Sequence, residues 1–446
     1  MNKKILQLAL PNIITNITVP LLGMVDTAIV GHLSEQHIGA IAIGTQIFNL
    51  IYWNFGFLRM GTSGFTAQAY GARRLDEAVR VFIRAITIAL AVALLLIVFQ
   101  YPVALLSKAI FNGSPTVITM ALSYFYVRIW AAPATLGLYA IKGWFIGMQN
   151  SKLPMWIAIF INIVNILCSL VFVLVFHWDI KGVALGTVIA QYSGLIIGIY
   201  FVISKYGKLF RSHFPVLRSI LSWSEMKLFF RVNGDIFLRT ICLVLVFTFI
   251  TSASGKISDE ILAVDALLLQ FFTLFSYIMD GFAYAGESLV GRYIGAHDRR
   301  SLVSVIRHLL LWGLILTLLF TVIYTIFGEN ILRIFSDKEN VIAAARPYLF
   351  WVLIVPVCGF SAFLFDGIFI GATASRTMRN SMFVATAAFF AVYFGLLYIL
   401  PTFNVQLSTF NWNNILWTAF MVYLAARGIG QASMLRKSVY EKADSI

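Results

Sequence analysis

Ten ionisable side chains lie inside long apolar stretches of this sequence. They are Asp26, Arg59, Arg128, Lys142, Arg239, Asp265, Asp280, Glu287, Asp366 and Arg427. If those stretches cross a membrane, a charge at the bilayer centre costs about 2.5–3.5 kcal/mol, so such groups usually face a protein interior or a water-filled cavity. Each is therefore either a structural pairing partner or a group that handles protons, ions or charged ligands. For Arg59, Arg239 and Arg427 we prefer the structural role, because long basic side chains reach interfaces and helix carbonyls.

Asp26 is the acid best suited to proton chemistry. Its side chain is too short to reach the membrane surface, and its helix also carries Pro11 and Pro20. Proline donates no backbone hydrogen bond, so a helix can bend at both positions. Desolvation raises the pKa of a carboxyl group, so a buried aspartate can load and lose a proton near neutral pH. The sequence therefore predicts Asp26 as a proton-linked switching group.

Two further sets of polar residues share a helix face. Asn162, Asn165 and Ser169 recur at spacings of three and four, and Thr187 on the next apolar stretch can join them. This set is either a polar site or interhelical hydrogen bonding, which is worth only about 0.6 kcal/mol in membranes.

Asp265, Asp280 and Glu287 lie on one long stretch, with Asp265 within about 60° of Asp280 at 100° per residue. They form either an acidic stripe that attracts cationic substrates or pairing partners for Arg239 or Arg59.

Composition defines the elements that must position these residues. Of the 446 residues, 60% are apolar and 12% are charged, and the mean hydropathy is +0.87. Soluble domains average about 45–50% apolar and about 25% charged residues. We therefore expect an all-α polytopic membrane protein.

No catalytic motif accompanies the apolar stretches. The sequence has no HExxH, GxSxG, P-loop or CxxC pattern, and Cys168, Cys242 and Cys358 lack paired spacing. We expect no catalytic residues, metal, cofactor or disulfide. Without a nucleotide-binding fingerprint, any transport draws on an ion gradient or runs downhill.

Twelve spans of about 20 residues or more are predicted. They cover about 5–31, 37–67, 78–102, 116–148, 153–176, 181–204, 229–253, 259–290, 301–328, 341–372, 379–401 and 412–435. Most lysines and arginines outside the spans lie on the side of the N-terminus, which predicts cytoplasmic termini in the inner (plasma) membrane. The predicted parts are an N-lobe (1–204), a linker (205–228), a C-lobe (229–436) and a cytoplasmic tail (437–446).

The two halves repeat each other at an offset of 224 residues. Gly71-Ala72 returns as Gly295-Ala296, Phe145-Ile146-Gly147 as Phe369-Ile370-Gly371, and Gln46 as Gln270. Because six spans are an even number, the halves are two parallel six-helix lobes, which is a known transporter plan.

Lys142 and Asp366 occupy equivalent positions in this repeat. They lie at similar depth, about 15 Å from the cytoplasmic end. If both face the axis, they form a cross-lobe ion pair that closes the cytoplasmic side. The preferred alternative is that each pairs within its own lobe.

Four blocks of the sequence resemble one transporter family. They are "LALPNIITNITVPLLGMVDTAIVGHL", "LRMGTSGFTAQAYGA", "MDGFAYAGESLVG" and "DGIFIGATASRTMRNSM". From about residue 5 to 436 the chain resembles the MATE multidrug and toxin extrusion transporters, DinF branch. The resemblance implies twelve helices in two lobes around a central cavity, and efflux of amphipathic, often cationic compounds coupled to H⁺ or Na⁺.

The resemblance also assigns residues. Asp26 matches the family's first-helix carboxylate, Pro11 its kink proline, and Asn165 and Thr187 its N-lobe cation site. Ser169 stands where a second carboxylate is common. Since hard cations favour charged oxygen ligands, this departure favours H⁺ over Na⁺.

Three other functions are weighed against an antiporter. A lipid-linked precursor flippase of the same superfamily needs several cationic side chains to hold a pyrophosphate, and span cations are few and widely separated. The sequence contains no pore-loop signature, which argues against a channel. It contains no nucleophile–base pair, which argues against an intramembrane enzyme. As partners we expect amphipathic small molecules, H⁺ and membrane lipids, with no nucleic acid, and we expect a monomer.

Overall fold

The computed structural model describes residues 1–31, 34–111, 114–213, 222–402 and 409–445, which contain helices and no strand. In chain order the α-helices are α1 Asn2–Gly31, α2 Glu35–Asn54, α3 Phe57–Gly71, α4 Leu75–Val98, α5 Gln100–Ile110, α6 Pro115–Arg128, α7 Ala132–Gly147, α8 Lys152–Leu170, α9 Asp179–His213, α10 Trp223–Ile257, α11 Asp259–Gly295, α12 Arg299–Phe335, α13 Glu339–Ala345, α14 Leu349–Gly371, α15 Ser375–Thr402, α16 Thr409–Leu435 and α17 Glu441–Ser445. Short 3₁₀ or π turns occupy Ile129–Ala131, Val171–Val175, Arg346–Tyr348 and Arg436–Tyr440.

Eleven helical segments of the described chain are long and apolar enough to cross a membrane. They correspond to the first eleven predicted spans, with ends displaced by several residues. The twelfth predicted span, about 412–435, lies within α16, which is not among the eleven. Its polar residues Asn413, Arg427 and Gln431 lower its hydropathy, and all three side chains are buried. Their partners lie inside the protein, as described below.

The chain divides into two compact units. The first bundle is Leu10–Asn233, and the second bundle is Gly234–Ile446 together with Met1–Ala9. The first residues join the second bundle through Lys4, whose ammonium lies 3.4 Å from the Tyr293 hydroxyl, and through Asn2, which accepts a hydrogen bond from Trp312 at 3.2 Å. Residues 214–221 of the predicted linker lie outside the described residues.

The packing within each bundle follows the sequence repeat. In the first bundle Gly143 of α7 lies so close to α3 that a Cβ would overlap the Arg59 carbonyl oxygen. In the second bundle Gly367 of α14 meets the Ala283 carbonyl oxygen of α11 in the same way. The 224-residue offset relates Gly143 to Gly367, and it also relates their contact partners Arg59 and Ala283.

The turns that follow these helices repeat as well. Arg73 and His297 have φ of 58° and 53°, and Gln149 and Thr373 have φ of 63° and 49°. A left-handed backbone is unfavourable for residues other than glycine. Its recurrence at one offset shows that the two bundles share turn geometry as well as helix order.

Candidate functional site

Three helices of the first bundle bring four predicted polar residues together. α1 supplies Asp26, α8 supplies Asn165 and Ser169, and α9 supplies Thr187. Their exposed fractions are 5%, 0%, 0% and 2%, respectively. We call these four residues the first-bundle polar site.

Hydrogen bonds connect the members in pairs. The Asn165 amide donates to Thr187 Oγ1 at 3.0 Å, and the Thr187 hydroxyl donates to the Val183 carbonyl at 3.2 Å. Ser169 Oγ lies 3.5 Å from Asp26 Oδ1, at the long limit for a hydrogen bond. Asn165 Oδ1 is buried and has no hydrogen-bond partner in the described chain. The site therefore holds an acceptor that a proton-bearing group can satisfy.

A close approach of α8 and α9 places Ser169 beside the site. A Cβ at Gly186 would lie 2.7 Å from Ser169 Oγ and 3.0 Å from Ser169 N. Both distances are shorter than ordinary van der Waals contact, so only glycine allows the two helices to approach this closely at Ser169.

α1 is continuous through both of its prolines and is bonded to α8 between them. The Asn162 amide donates to the Thr18 carbonyl at 2.9 Å, and the Thr15 hydroxyl donates to the Pro11 carbonyl at 2.9 Å. Asn162 therefore holds the backbone of α1 and does not belong to the polar site itself.

Arg128 is a neighbour of the first-bundle polar site to which the sequence analysis assigned no role. Its guanidinium lies 4.7 Å from the centre of the Phe48 ring and donates to the Tyr124 hydroxyl at 2.6 Å. It acts electrostatically on Asp26. The spacing of four between Tyr124 and Arg128 on α6 is the signal that could have indicated this bonded pair.

Lys142 and Arg59 form a second cationic feature of the first bundle. The backbone contact at Gly143 brings α3 and α7 together at these positions, and the two charges repel each other. No ion pair of Lys142 occurs in the described part of the chain.

Asp366 is bonded within the second bundle. Its Oδ2 accepts from Arg239 and from Arg427 Nη2, the latter at 2.5 Å, and its Oδ1 accepts from the Gln431 amide at 2.8 Å. These contacts match the alternative in which Asp366 pairs within its own lobe. The two arginines pair with this acid inside the bundle, which agrees with the structural role preferred for them, although their partner is a carboxylate and not an interface or a helix carbonyl.

The three acids of α11 have different surroundings. Asp265 is 2% exposed and is bonded to neutral groups, so the alternative of pairing with Arg239 or Arg59 does not apply to this residue. Glu287 is fully buried, and Asp280 is half-buried and acts electrostatically on Arg427. A role of these acids in substrate attraction stays a prediction.

Repeated bundles of membrane-spanning helices, each with ionisable groups buried inside it, define a polytopic membrane protein with the plan of a secondary transporter. The sequence profile of the MatE family matches residues 11–171 and 236–399. The chain therefore belongs to the MATE transporter family.

Relatives place the chain within this family. It is 37% identical to DNA damage-inducible protein F of Escherichia coli strain K12 over 440 residues, which cover 98% of this chain and 92% of that protein, so it belongs to the DinF branch. It is 24% identical to the probable multidrug resistance protein NorM of Thermotoga maritima, over 77% of this chain and 74% of that protein.

Solved structures show the same fold. A MATE protein crystallised in the bent conformation matches with a TM-score of 0.85 at 18% identity, over 100% of this chain and 97% of the other. The outward-facing structure of a multidrug resistance MATE family transporter of the MOP superfamily matches with a TM-score of 0.81 at 17% identity, over 99% and 96%.

Proposed function

We propose that this protein is a secondary active antiporter of the inner membrane that exports amphipathic, often cationic compounds in exchange for H⁺. The observation that carries the proposal is Asp26, a buried acid among neutral oxygens on a helix with two prolines. Family membership supports transport as the activity, and the name of the Thermotoga relative supports a multidrug range.

The composition of the first-bundle polar site favours H⁺ over Na⁺. Asp26 is its single carboxylate, and Asn165, Ser169 and Thr187 offer neutral oxygens. Hard cations prefer several oxygen ligands that include charged ones. In the described chain no three His, Cys, Asp or Glu residues converge as a metal site.

The residues of the site suggest how a proton would act. Protonation of Asp26 removes its attraction to Arg128 and creates an O–H donor, for which the unbonded Asn165 Oδ1 of the same site is a candidate acceptor. The resulting shift of Asp26 would bend α1, where prolines remove backbone hydrogen bonds. Alternating access would then follow from the changed conformation of α1.

The first test is ΔpH-driven efflux from proteoliposomes, with Asp26→Asn compared with the unmodified protein. The substitution removes a titratable charge with little change in volume, so we expect loss of efflux with normal folding. Asp337→Asn, at an exposed position outside the spans, is the matched control. Normal efflux by Asp26→Asn at equal protein amounts would refute the coupling role.

The second test concerns Na⁺. A Na⁺ gradient alone should drive little transport by the unmodified protein, and Ser169→Asp should introduce some Na⁺ dependence because it adds a second carboxylate beside Asp26. Ser204→Asp, on an exposed face of α9, serves as the control. Strong Na⁺-driven transport without any substitution would contradict the proposed choice of ion.

A second candidate function is movement of an anionic, lipid-linked precursor. The observation that favours it is the cationic pair Lys142 and Arg59, which lacks a compensating ion pair at Lys142 in the described chain. For a structural neighbour, a MOP superfamily transporter from Pyrococcus furiosus, the reverse polarity of its binding pocket suggests a different function. Anionic and cationic amphiphiles compared in the same liposomes separate the two functions, since Lys142→Gln should weaken transport of anions only.

A further inference from the structure

We propose that Asp265 is held as a neutral carboxylic acid and is a second proton-binding site, located in the second bundle. It is separate from Asp26, and the antiport mechanism proposed above does not use it.

Three helices meet at the Asp265 carboxyl group. The acid lies on α11, Ser254 on α10, and Asn413 and Trp417 on α16. The Asn413 amide and the Trp417 indole N–H both donate to Asp265 Oδ1, at 2.9 and 2.8 Å. Ser254 Oγ lies 2.5 Å from Asp265 Oδ2. Each of these four side chains is at most 2% exposed.

The count of hydrogens in this network favours a proton on the acid. Ser254 Oγ also lies 2.8 Å from the Ile250 carbonyl oxygen, but a hydroxyl has one hydrogen to donate. A carboxylate and a carbonyl both only accept, so one of the two contacts would then lack a hydrogen. A protonated Asp265 donates from Oδ2 to Ser254 Oγ, and Ser254 then donates to Ile250. Every contact is satisfied with one hydrogen each.

The charges around Asp265 agree with a neutral acid. No lysine or arginine forms an ion pair with it in the described chain. From the turn before α14, the Tyr348 phenol acts on it electrostatically, and Glu260 of α11 acts on Tyr348. On α13, Glu339 is paired with Arg333 of α12. A buried carboxylate without a cationic partner is strongly disfavoured.

Asp366 provides the contrast within the same bundle. Asp366 is bonded to two guanidinium groups, whereas Asp265 is bonded to an amide, an indole and a hydroxyl, all of them neutral. Both acids are buried, so the difference lies in the partners and not in solvent access. Asp366 therefore stays ionised, and Asp265 carries the proton.

The proton at Asp265 joins three helices near the turn between α10 and α11. Loss of this proton leaves a buried charge and forces the Ser254 hydroxyl to leave either Ile250 or Asp265. The contact of α10 with α11 and α16 therefore depends on proton occupancy.

Infrared difference spectroscopy of the purified, full-length protein tests the proposal. Asp265→Asn is a close mimic of the neutral acid, since its amide NH₂ can donate to Ser254 and its carbonyl oxygen can accept from Asn413 and Trp417. We expect this variant to fold and to lose one carboxylic acid C=O band that is present at neutral pH in the unmodified protein. That band should also disappear reversibly as the pH is raised.

Two comparisons keep the result specific. Glu329→Gln, at an exposed acid that is paired with arginines, should leave the acid band in place, and Asp26→Asn should leave the Asp265 band in place. Ser254→Ala removes the acceptor and should shift the band, which provides a second readout if Asp265→Asn does not fold. Absence of a band that depends on Asp265 or Ser254, or a band that never titrates, would overturn the proposal.

Discussion

At the residue scale, three buried aspartates show how partners decide the chemistry of one side chain. Asp366 accepts from two arginines, Asp265 from neutral donors, and Asp26 lies near a single serine hydroxyl while Arg128 acts on it electrostatically. Their exposed fractions are all below 8%. Burial alone therefore does not distinguish a structural ion pair from a group that exchanges protons.

Asp366→Asn should destabilise the second bundle strongly. Removing one partner of a buried ion pair typically costs about 3–5 kcal/mol, because the remaining charge is left uncompensated. The loss here leaves both Arg239 and Arg427 without their acid. Thermal unfolding in detergent measures the effect.

Glu329→Gln is the matched control for Asp366→Asn. Glu329 also bonds an arginine, Arg346, but its network with Arg333 and Glu339 is exposed. Exposed ion pairs contribute little, so this variant should unfold at nearly the unmodified temperature. Equal losses for both variants would show that burial is not what gives the Asp366 network its strength.

At the element scale, the short helix α17 is attached to the turn between α14 and α15. The Lys442 ammonium donates to the Ala372 carbonyl and to Thr373 Oγ1, both at 2.6 Å. Thr373 is one of the left-handed residues that recur in the two halves. The C-terminal segment therefore contacts a turn whose geometry belongs to the repeat.

This contact predicts a pH dependence outside the membrane-spanning segments. Burial lowers the pKa of Lys442 to about 8, below its ordinary value of 10.5. Between these values the folded protein binds fewer protons than the unfolded chain, so stability rises with pH over this window. The unmodified protein should gain thermal stability relative to Lys442→Met as the pH increases from about 8. A constant difference between the two proteins across this window would contradict the assignment.

At the scale of the whole molecule, the repeat is a property of the packing as well as of the sequence. Equivalent glycines, Gly143 and Gly367, meet equivalent backbone positions in their own bundles. The family profile also matches two segments of similar length, one in each half. The polar residues inside the bundles do not follow the repeat, since Asp26 has no equivalent acid and Lys142 corresponds to Asp366.

Gly143→Ala and Gly367→Ala should both lower the thermal stability. In each case the added Cβ would overlap a carbonyl oxygen of a neighbouring helix, and backbone cannot rotate away as a side chain can. Gly395→Ala is the control, because nothing lies within 4 Å of its Cβ. There the change should be neutral or stabilising by roughly 0.5–1 kcal/mol. A loss at Gly143 without a loss at Gly367 would show that the repeat does not extend to this contact.

The sequence by itself determined the membrane-spanning helices and the repeat of the two halves, and it singled out Asp26 as the candidate proton-coupling acid. These features are local or periodic, since apolar runs, prolines and a constant offset are read along the chain. The partners of the buried charges were decided only by the tertiary structure. Asp265 is bonded to residues 148 and 152 positions away, and Asp366 to an arginine 127 positions away. An apolar stretch indicates that a polar side chain within it faces the protein interior. Which group forms a hydrogen bond or ion pair with that side chain depends on the rotation and packing of distant helices.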